Sequence, residues 1–227
     1  MTSNSLADQA YQRIRKDIIT CTLEPGLNVA QARLVEMYDL GITPVREALK
    51  RLEQEGYVQS IPRFGYLITP ITVQDIQNIY ELRLLLEKAA VRLAAQRASE
   101  KQLGEIEQNA QFTYRYKDPL SYQEFLSANA AFHEKIALTT GNKRLATSIR
   151  KLLDEMTRIF HLGLELRDSA EEMKNEHIAL ASALINHNAD LAEQIIEDQI
   201  QRSQQRVLEM LDSRSSIQAQ TTLSKLP

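Results

Sequence analysis

Glycine and proline crowd into the first third of this 227-residue chain. Four of the seven glycines and four of the six prolines lie between Pro25 and Pro70. Both residues favour turns and interrupt helices, so this segment must change direction several times within a short length. The distribution predicts a small mixed α/β domain over residues 1–71, followed by a larger all-helical domain over 72–213. The Ser-, Thr- and Gln-rich end, 214–227, is predicted to be a disordered tail.

Composition is that of an ordinary folded protein, with 43% apolar and 25% charged residues. The first dozen residues lack an apolar core, and no apolar run approaches the roughly 20 residues that span a bilayer. The single cysteine, Cys21, excludes an internal disulfide and a cysteine-based zinc cluster. We therefore expect a cytoplasmic protein that does not engage a membrane.

The charge balance does not by itself indicate nucleic-acid binding. The formal net charge is −3, and residues 1–71 carry eight Lys or Arg against eight Asp or Glu. A DNA-binding surface in this domain would depend on a few well-placed basic residues, helped by the N-termini of helices.

Three helices followed by a β-hairpin are predicted in the first domain. Asn28 is a candidate cap for the second helix. Thr43 is a candidate cap for the third, with Pro44 at its first position and Gly56 just past its end. The predicted helices cover 6–19, 29–38 and 44–55, and the predicted strands cover 57–61 and 66–71.

This order of elements is typical of a winged helix-turn-helix, in which one helix enters the major groove and another braces it. Thr43, Arg46 and Lys50 are spaced i, i+3 and i+7, so they share one face of the third helix. Arg46 is the candidate base reader because a guanidinium can take O6 and N7 of guanine, and Thr43 is a candidate phosphate contact. Arg63, at the hairpin tip, is placed to reach phosphate or the minor groove. The alternative is a helical hairpin whose charges are only solvated.

The first domain resembles the GntR family of regulators over residues 6–71. The resemblance implies a DNA-binding transcription regulator, and it adds Arg33 and Gly65 to the candidate DNA-binding residues. Two positions depart from the family pattern: Ile42 and Ala32 stand where members carry arginines, so the operator sequence cannot be borrowed from relatives. The motifs that carry the resemblance are Leu23-Glu24-Pro25-Gly26, Thr43-Pro44-Val45-Arg46-Glu47-Ala48-Leu49, Leu52-Glu53-Gln54-Glu55-Gly56-Tyr57-Val58 and Arg63-Phe64-Gly65.

Residues 72–211 resemble the FadR-type effector domain of the same family, called FCD. The resemblance implies an antiparallel helical bundle around a ligand cavity, and a homodimer that reads a near-palindromic site on double-stranded DNA. Arg83 is a candidate to hold a carboxylate of the effector, with a structural pair to Glu87 as the alternative. The motifs are Tyr80-Glu81-Leu82-Arg83 with Glu87, Asn129 with Phe132-His133, Gly141-Asn142-Lys143-Arg144-Leu145, and Glu176-His177.

Many members of that family hold a divalent metal with one Asp and three His, and the matching positions here are Asn129, His133, His177 and Gln199. Asn129 and His133 are i, i+4 neighbours. His177 and Gln199 lie nine residues before and ten after a predicted turn, so both sit about 14 Å from it. These four groups are predicted to converge. They either satisfy one another and a few waters, or line an effector pocket in which His133 and His177 hold a weakly bound Zn²⁺ or Ni²⁺.

Two other functions are weighed against a ligand-responsive regulator. A metal-dependent helical-bundle enzyme would use Glu-x-x-His pairs, but no Glu lies three residues before any histidine, and no catalytic motif is recognised. A constitutive DNA-binding regulator without an effector differs from the first reading only in its response to ligand. The remaining histidines, His161 and His187, are interpreted as surface or interface residues.

Overall fold

The computed structural model describes residues 5–223 and, within them, the side chains of 5–164 and 166–213. The chain divides between Thr72 and Val73 into two compact units, one residue beyond the boundary expected from the sequence. The described part of the first unit consists of α1 Leu6–Ile19, β1 Asn28–Val29, α2 Gln31–Tyr38, α3 Ile42–Gln54, β2 Val58–Ile61 and β3 Gly65–Ile68.

Helix α1 begins and ends where the apolar spacing predicts. The Ser5 hydroxyl accepts a hydrogen bond from the backbone N–H of Asp8 (3.1 Å), which caps the first turn. Ala10, Ile14 and Ile18 are spaced four residues apart and are fully buried. This buried stripe packs against α3, and together the two helices form the core of the first unit.

The second helix starts later than predicted because the residues before it form a strand. Asn28 lies opposite Leu67 in an antiparallel pair, so it is a strand residue and not a helix cap. Helix α2 begins at Gln31, and its N-cap residue, Ala30, makes no side-chain cap. A two-residue strand has no periodicity of its own, and only its distant partner strand reveals it.

The three strands form one antiparallel sheet in the order β1-β3-β2, and β2 and β3 form the predicted hairpin. Gly65 begins β3 with a φ of +103°. A Cβ atom at this position would lie 2.5 Å from the carbonyl oxygen of Val29, so only glycine fits. Gly65, a candidate DNA-binding residue, therefore has a packing role in the hairpin that we call the wing.

The described part of the second unit is entirely helical, as predicted. Capping side chains fix where helices begin: Ser99 and Gln102 form a capping box on α5, Asp118 caps α6 and Asn142 caps α7. Helix α4 packs along α9, and α7 contacts both α6 and α9. The helices are α4 Val73–Arg97, α5 Glu100–Gln108, α6 Pro119–Thr139, α7 Lys143–Leu166, α8 Ala170–Ile185 and α9 Ala189–Leu223.

The sequence pattern of the second domain predicts one helix over about 101–116, but helix α5 ends early, at Gln108, and residues 109–118 form a loop. Within this loop Ala110 and Tyr114 are buried, Phe112, Tyr116 and Asp118 are half-buried, and the residues between them are exposed. Such alternation has a period near two, which an extended segment satisfies and a helix does not. The loop brings Phe112 and Tyr114 to the interior of the unit.

Helix α9 continues through Leu223, so the predicted disordered tail, 214–227, is helical over the part that the structure describes. Neither glycine nor proline interrupts the chain between 189 and 226, so no residue in that stretch forces the helix to stop. Residues 224–227 lie outside the described residues. None of the described helices combines the length and the apolar character required to cross a membrane.

Candidate functional site

Helix α3 carries the candidate base-reading residues and begins two residues earlier than the sequence pattern predicts. Its N-cap is Gly41, so Thr43 lies inside the first turn and does not cap the helix. Pro44 occupies the third helical position, where its missing N–H is harmless because first-turn N–H groups have no partner within the helix. The Gln31 side-chain amide of α2 donates to the Ile42 carbonyl oxygen (3.2 Å), which joins the starts of the two helices.

One face of α3 is a row of exposed polar residues, Thr43, Arg46 and Lys50, opposite the buried side chains of the core. Among the described residues, the side chains of Arg46 and Lys50 form no hydrogen bond or ion pair. Arg63 at the tip of the wing is also exposed and unpaired within the described residues, and its φ is +68°. Unpaired cations on an exposed surface attract a polyanion such as the phosphate backbone of DNA.

Other arginines of the first unit already have partners. Arg51 lies 2.7 Å from a carboxylate oxygen of Asp8. Arg33, which the family resemblance implicates in DNA contact, pairs with Glu36 at 3.0 Å on the surface of α2. The three arginines of the predicted contact set thus differ, since Arg33 is engaged whereas Arg46 and Arg63 have no partner among the described residues.

The second unit buries a group of charged and amide side chains that we call the polar cluster. Every member is at most 5% exposed. The structure brings together all five residues that the sequence predicts for the effector site, from four different helices, and adds Glu87 to them. The polar cluster consists of Arg83, Glu87, Asn129, His133, His177 and Gln199.

Glu87 is the centre of one half of the cluster. One of its carboxylate oxygens accepts from Arg83 Nε at 2.6 Å, and the other lies 2.6 Å from His133 Nδ1. Burial alone would raise the pKa of Glu87, but Arg83 and His133 outweigh burial and lower it to about 2. The carboxylate is therefore ionised at neutral pH. Arg83 forms the pair with Glu87 that the sequence indicates as the alternative to effector binding.

His177 is the centre of the other half. Its Nε2 lies 3.0 Å from Asn129 Oδ1 and 2.8 Å from Gln199 Nε2, and its ring is 5.6 Å from that of His133. Burial, with His133 and Arg83 adding to it, lowers the pKa of His177 well below the usual value. His177 is therefore neutral at pH 7, and its interaction with the two amides replaces hydration.

These donors fit a divalent cation poorly. His133 is oriented as metal-ligating histidines usually are, with Nδ1 on a carboxylate, and its Nε2 makes no hydrogen bond to a described residue. However, the other groups at His177 are neutral amides, and the charge of Glu87 is neutralised by Arg83. Among the described residues no group of three His, Cys, Asp or Glu side chains is placed to hold a metal ion.

The loop that follows α5 covers the cluster. The ring of Phe112 lies 4.4 Å from that of His177 and 5.7 Å from that of Phe132. On its other side Phe112 lines a surface groove of about 440 Å³. Sequence reading assigned this residue to a helix, so the contact with His177 was missed.

A small cavity lies beside the cluster, with a volume of about 20 Å³, which is room for about one water molecule. Arg83, Asn129 and Gln199 form part of its wall, and Ser203 and Arg206 of α9 extend that polar wall beyond the predicted residues. Gln199, Ser203 and Arg206 are spaced i, i+4 and i+7, so the pattern that indicated Gln199 could also have indicated Arg206. The apolar wall consists of Phe125, Leu126, Phe160, Leu164, Met173 and Val207.

The two other histidines differ from each other. His161 is 3% exposed, so its interpretation as a surface or interface residue is wrong; it lies in a stretch of α7, 158–164, in which every residue is buried. Burial lowers the pKa of His161 to about 4, and its Nε2 makes no hydrogen bond to a described residue. His187 is exposed and lies 2.7 Å from the Ala95 carbonyl oxygen, as a surface residue would.

Comparison with known proteins places these two units in one class, a winged helix-turn-helix DNA-binding module joined to a helical ligand-binding domain. Residues 6–68 match the family model described as bacterial regulatory proteins, gntR family, and residues 78–202 match the FCD domain. The chain belongs to the GntR family, with an FCD effector domain as its second unit. It is therefore a transcription regulator and not an enzyme.

Sequence similarity to known proteins covers most of the chain. An uncharacterised HTH-type transcriptional regulator, YdhC of Bacillus subtilis (strain 168), is 27% identical over 82% of this chain and 84% of its own length. The HTH-type transcriptional repressor RspR of Escherichia coli (strain K12) is 23% identical over 91% of both chains. The solved structure of E. coli McbR/YncC matches 91% of this chain and 99% of its own with a TM-score of 0.64 at 21% identity, which supports the fold.

Proposed function

We propose that the protein acts in the cytoplasm as a homodimer that binds a near-palindromic operator through α3 and the wing. A small molecule, which we expect to be a carboxylate, would bind in the cavity of the FCD unit and change the operator affinity. The observation that carries the DNA-reading part is the contrast between free Arg46, Lys50 and Arg63 and the partnered arginines of the same unit.

Arg46 has the leading role in this proposal. It lies one turn into α3, where side chains of a recognition helix reach base edges, and a bidentate contact to guanine is worth about 1–3 kcal/mol. Arg63 on the wing would contact phosphate or the minor groove, which adds affinity at every sequence. Loss of Arg46 should therefore relax specificity, and loss of Arg63 should weaken binding uniformly.

The experiment starts with operator sites selected from random duplex DNA by the wild-type protein. Mobility-shift titrations then compare wild type with Arg46→Ala, Arg63→Ala and Arg33→Ala at several salt concentrations. We expect Arg46→Ala to lose about 5- to 150-fold in affinity, and Arg63→Ala to lower the salt slope by about one. Arg33→Ala is the matched control. If Arg46→Ala bound the selected site as tightly as wild type, the proposed docking would be wrong.

An apolar stripe on α4 supports the homodimer. Leu82 and Leu85 are 47% and 64% exposed, and Ala89 lies one turn further along the same face. A twofold interface would cover this stripe with the same stripe of a second copy. Leu85→Lys should convert the dimer to a monomer, and Leu191→Lys, at an exposed leucine of α9, should not. A wild-type mass of one chain by light scattering at micromolar concentration would contradict the proposal.

A constitutive regulator is the second candidate, and the cavity volume favours it. At about 20 Å³ the cavity holds no metabolite unless its wall opens. A thermal-shift screen separates the two candidates because a ligand of the native state raises the melting temperature by mass action. We expect at least one small carboxylate both to raise the melting temperature and to change operator affinity.

A further inference from the structure

Arg206 is a buried cation whose terminal donors are unused. It is 4% exposed, and neither Nη1 nor Nη2 makes a hydrogen bond to a described residue. The nearest carboxylate oxygen, Oε1 of Glu172, lies 3.7 Å from Nη1, which is beyond hydrogen-bond distance. Arg83, on the same cavity wall, by contrast donates a short hydrogen bond from Nε to Glu87.

Each of the two described carboxylates near Arg206 is paired with another arginine through one oxygen, and the second oxygen of Glu176, Oε2, forms no hydrogen bond to a described residue. Glu176 accepts a hydrogen bond from Arg202 at 2.9 Å, and Arg167 lies 2.9 Å from Glu172 Oε2. Burial raises the pKa of the Glu176 carboxyl group, while Arg206 and Arg202 oppose that rise, so Arg206 interacts with this acidic group only at a distance. The guanidinium is therefore stabilised by the field of nearby acids without direct hydrogen bonds.

A guanidinium stays charged at physiological pH, and burying it without a hydrogen-bonded partner is unfavourable. Such a group in a native structure requires an explanation, and one explanation is an ion of opposite charge that binds from outside. Its planar fork matches a carboxylate, with two parallel N–H···O bonds. The ligand that satisfies Arg206 is therefore an anion with two oxygens in one plane.

The other residues of the cavity wall indicate the chemical character of the rest of that ligand. Next to Arg206 the cavity is lined by carbon-rich side chains, including Phe125, Phe160 and Val207. Ser203 has its hydroxyl 2.8 Å from that of Tyr80, so it is already paired. Of the two cations in the described wall, Arg83 donates to Glu87 and Arg206 has no hydrogen bond from its Nη atoms to a described acidic group, so a second carboxylate on the ligand would find no equivalent partner there.

We propose that Arg206 anchors the effector, and that the effector is a monocarboxylate with a small apolar body. This deepens the proposed function, on which it rests, and transfers the anchoring role from Arg83 to Arg206. The cavity must open to admit the ligand, and Met173 is the most exposed apolar side chain of its wall, at 9%. An unbranched methionine adjusts its shape readily, so its movement would enlarge the cavity at the surface side.

The experiment uses the full-length protein and measures melting temperature in the presence of hexanoate and benzoate, with hexanamide and benzamide as neutral counterparts. Wild type is compared with Arg206→Met, Arg206→Lys and Arg202→Gln. We expect the carboxylates to raise the wild-type melting temperature in a concentration-dependent way and the amides not to do so. Arg206→Met should abolish the shift, Arg206→Lys should retain part of it, and Arg202→Gln, at an exposed neighbour on α9, should keep it.

The ligand-free proteins give a second readout. If Arg206 has an unsatisfied charge, Arg206→Met should melt at the same temperature as wild type or higher. A lower melting temperature for ligand-free Arg206→Met would indicate a structural ion pair with Glu172 and overturn the proposal. An undiminished carboxylate shift in Arg206→Met, equal shifts with the amides, or no shift in wild type would overturn it as well.

Operator affinity, measured in parallel, separates this inference from the proposed function. If carboxylates bind through Arg206 without changing operator affinity, the role of Arg206 in ligand binding is supported and the proposed regulation of DNA binding is wrong. If a carboxylate changes operator affinity equally in wild type and Arg206→Met, the proposed regulation is supported and the role of Arg206 in ligand binding is wrong.

Discussion

Each unit holds an arginine whose Nη atoms form no hydrogen bond to a described residue, but the two arginines lie in opposite surroundings. Arg46 is exposed on α3, where water solvates its charge at little cost, whereas Arg206 is buried against a cavity of the FCD unit. An exposed free cation suits a large partner that arrives from solvent and binds through many weak contacts. A buried free cation suits one small anion that must enter the fold. The same residue type thus indicates DNA in one unit and a metabolite in the other.

The comparison implies that a charged side chain contributes strongly to the free energy of unfolding only where it is buried. A substitution at Glu87 tests this and has the largest expected effect. Glu87→Gln would leave Arg83 without its buried counter-charge and His133 Nδ1 without its carboxylate partner, at an expected cost of about 3–5 kcal/mol in the free energy of unfolding. The control is Glu193→Gln, which removes a partly exposed partner of Arg92 and Lys88 and should cost about 1 kcal/mol or less. Equal urea-denaturation curves for the two variants would contradict this difference between buried and exposed charges.

Acid should destabilise the buried region through His161. Its pKa is lowered to about 4 in the folded protein, against 6.5 for an ordinary histidine, so only the unfolded chain takes up this proton between those values. Stability is therefore lost as pH falls from 6.5 towards 4, with His161 contributing on the order of 3 kcal/mol. His161→Leu should flatten the dependence of unfolding free energy on pH in this window. His187→Leu, at the exposed histidine, should leave it steep.

Replacing Asn129 by the aspartate that metal-binding relatives carry should convert the polar cluster into a better metal site. Asn129→Asp places a negative charge beside His177, and we expect Zn²⁺ and Ni²⁺ to bind about tenfold more tightly than to wild type. Calorimetry on wild type, Asn129→Asp and Asn129→Asp with His177→Ala measures this directly. Tight binding of either metal by wild type would show that two imidazoles and two amides suffice.

The smallest expected effect belongs to Arg33. Because its exposed guanidinium already pairs with Glu36, Arg33→Ala should change operator affinity and unfolding free energy by about 0.5 kcal/mol or less. A loss in operator affinity as large as that of Arg46→Ala would show that DNA displaces Glu36 and that engaged arginines read DNA too.

Local patterns were sufficient to predict most helices and the exposed face of α3, because helical periodicity separates Arg46 and Lys50 from the core. Equal distances from one turn were sufficient to place His177 and Gln199 at the same height. Periodicity could not reveal strand β1 at Asn28, whose pairing partner is distant in the chain.

The residues that sequence reading missed depend on tertiary context. Phe112 lies in a loop that was read as helix, and it reaches His177 only because the chain turns there. His161 has no matching partner in the sequence pattern and is therefore interpreted as a surface or interface residue, although every residue of 158–164 around it is buried. Arg206 shares the spacing of Gln199, but the 3.7 Å gap between its Nη1 and Glu172 depends on how α8 and α9 pack, which periodicity does not give.

A titration of labelled operator by fluorescence anisotropy, with and without the stabilising carboxylate, tests the central claim most directly. The account predicts that Arg46→Ala loses operator affinity under both conditions. It also predicts that Arg206→Met binds the operator as wild type does and no longer responds to the carboxylate. An Arg206→Met protein that responds like wild type, or an Arg46→Ala protein that binds like wild type, would contradict the assignment of one free arginine to DNA and the other to the ligand.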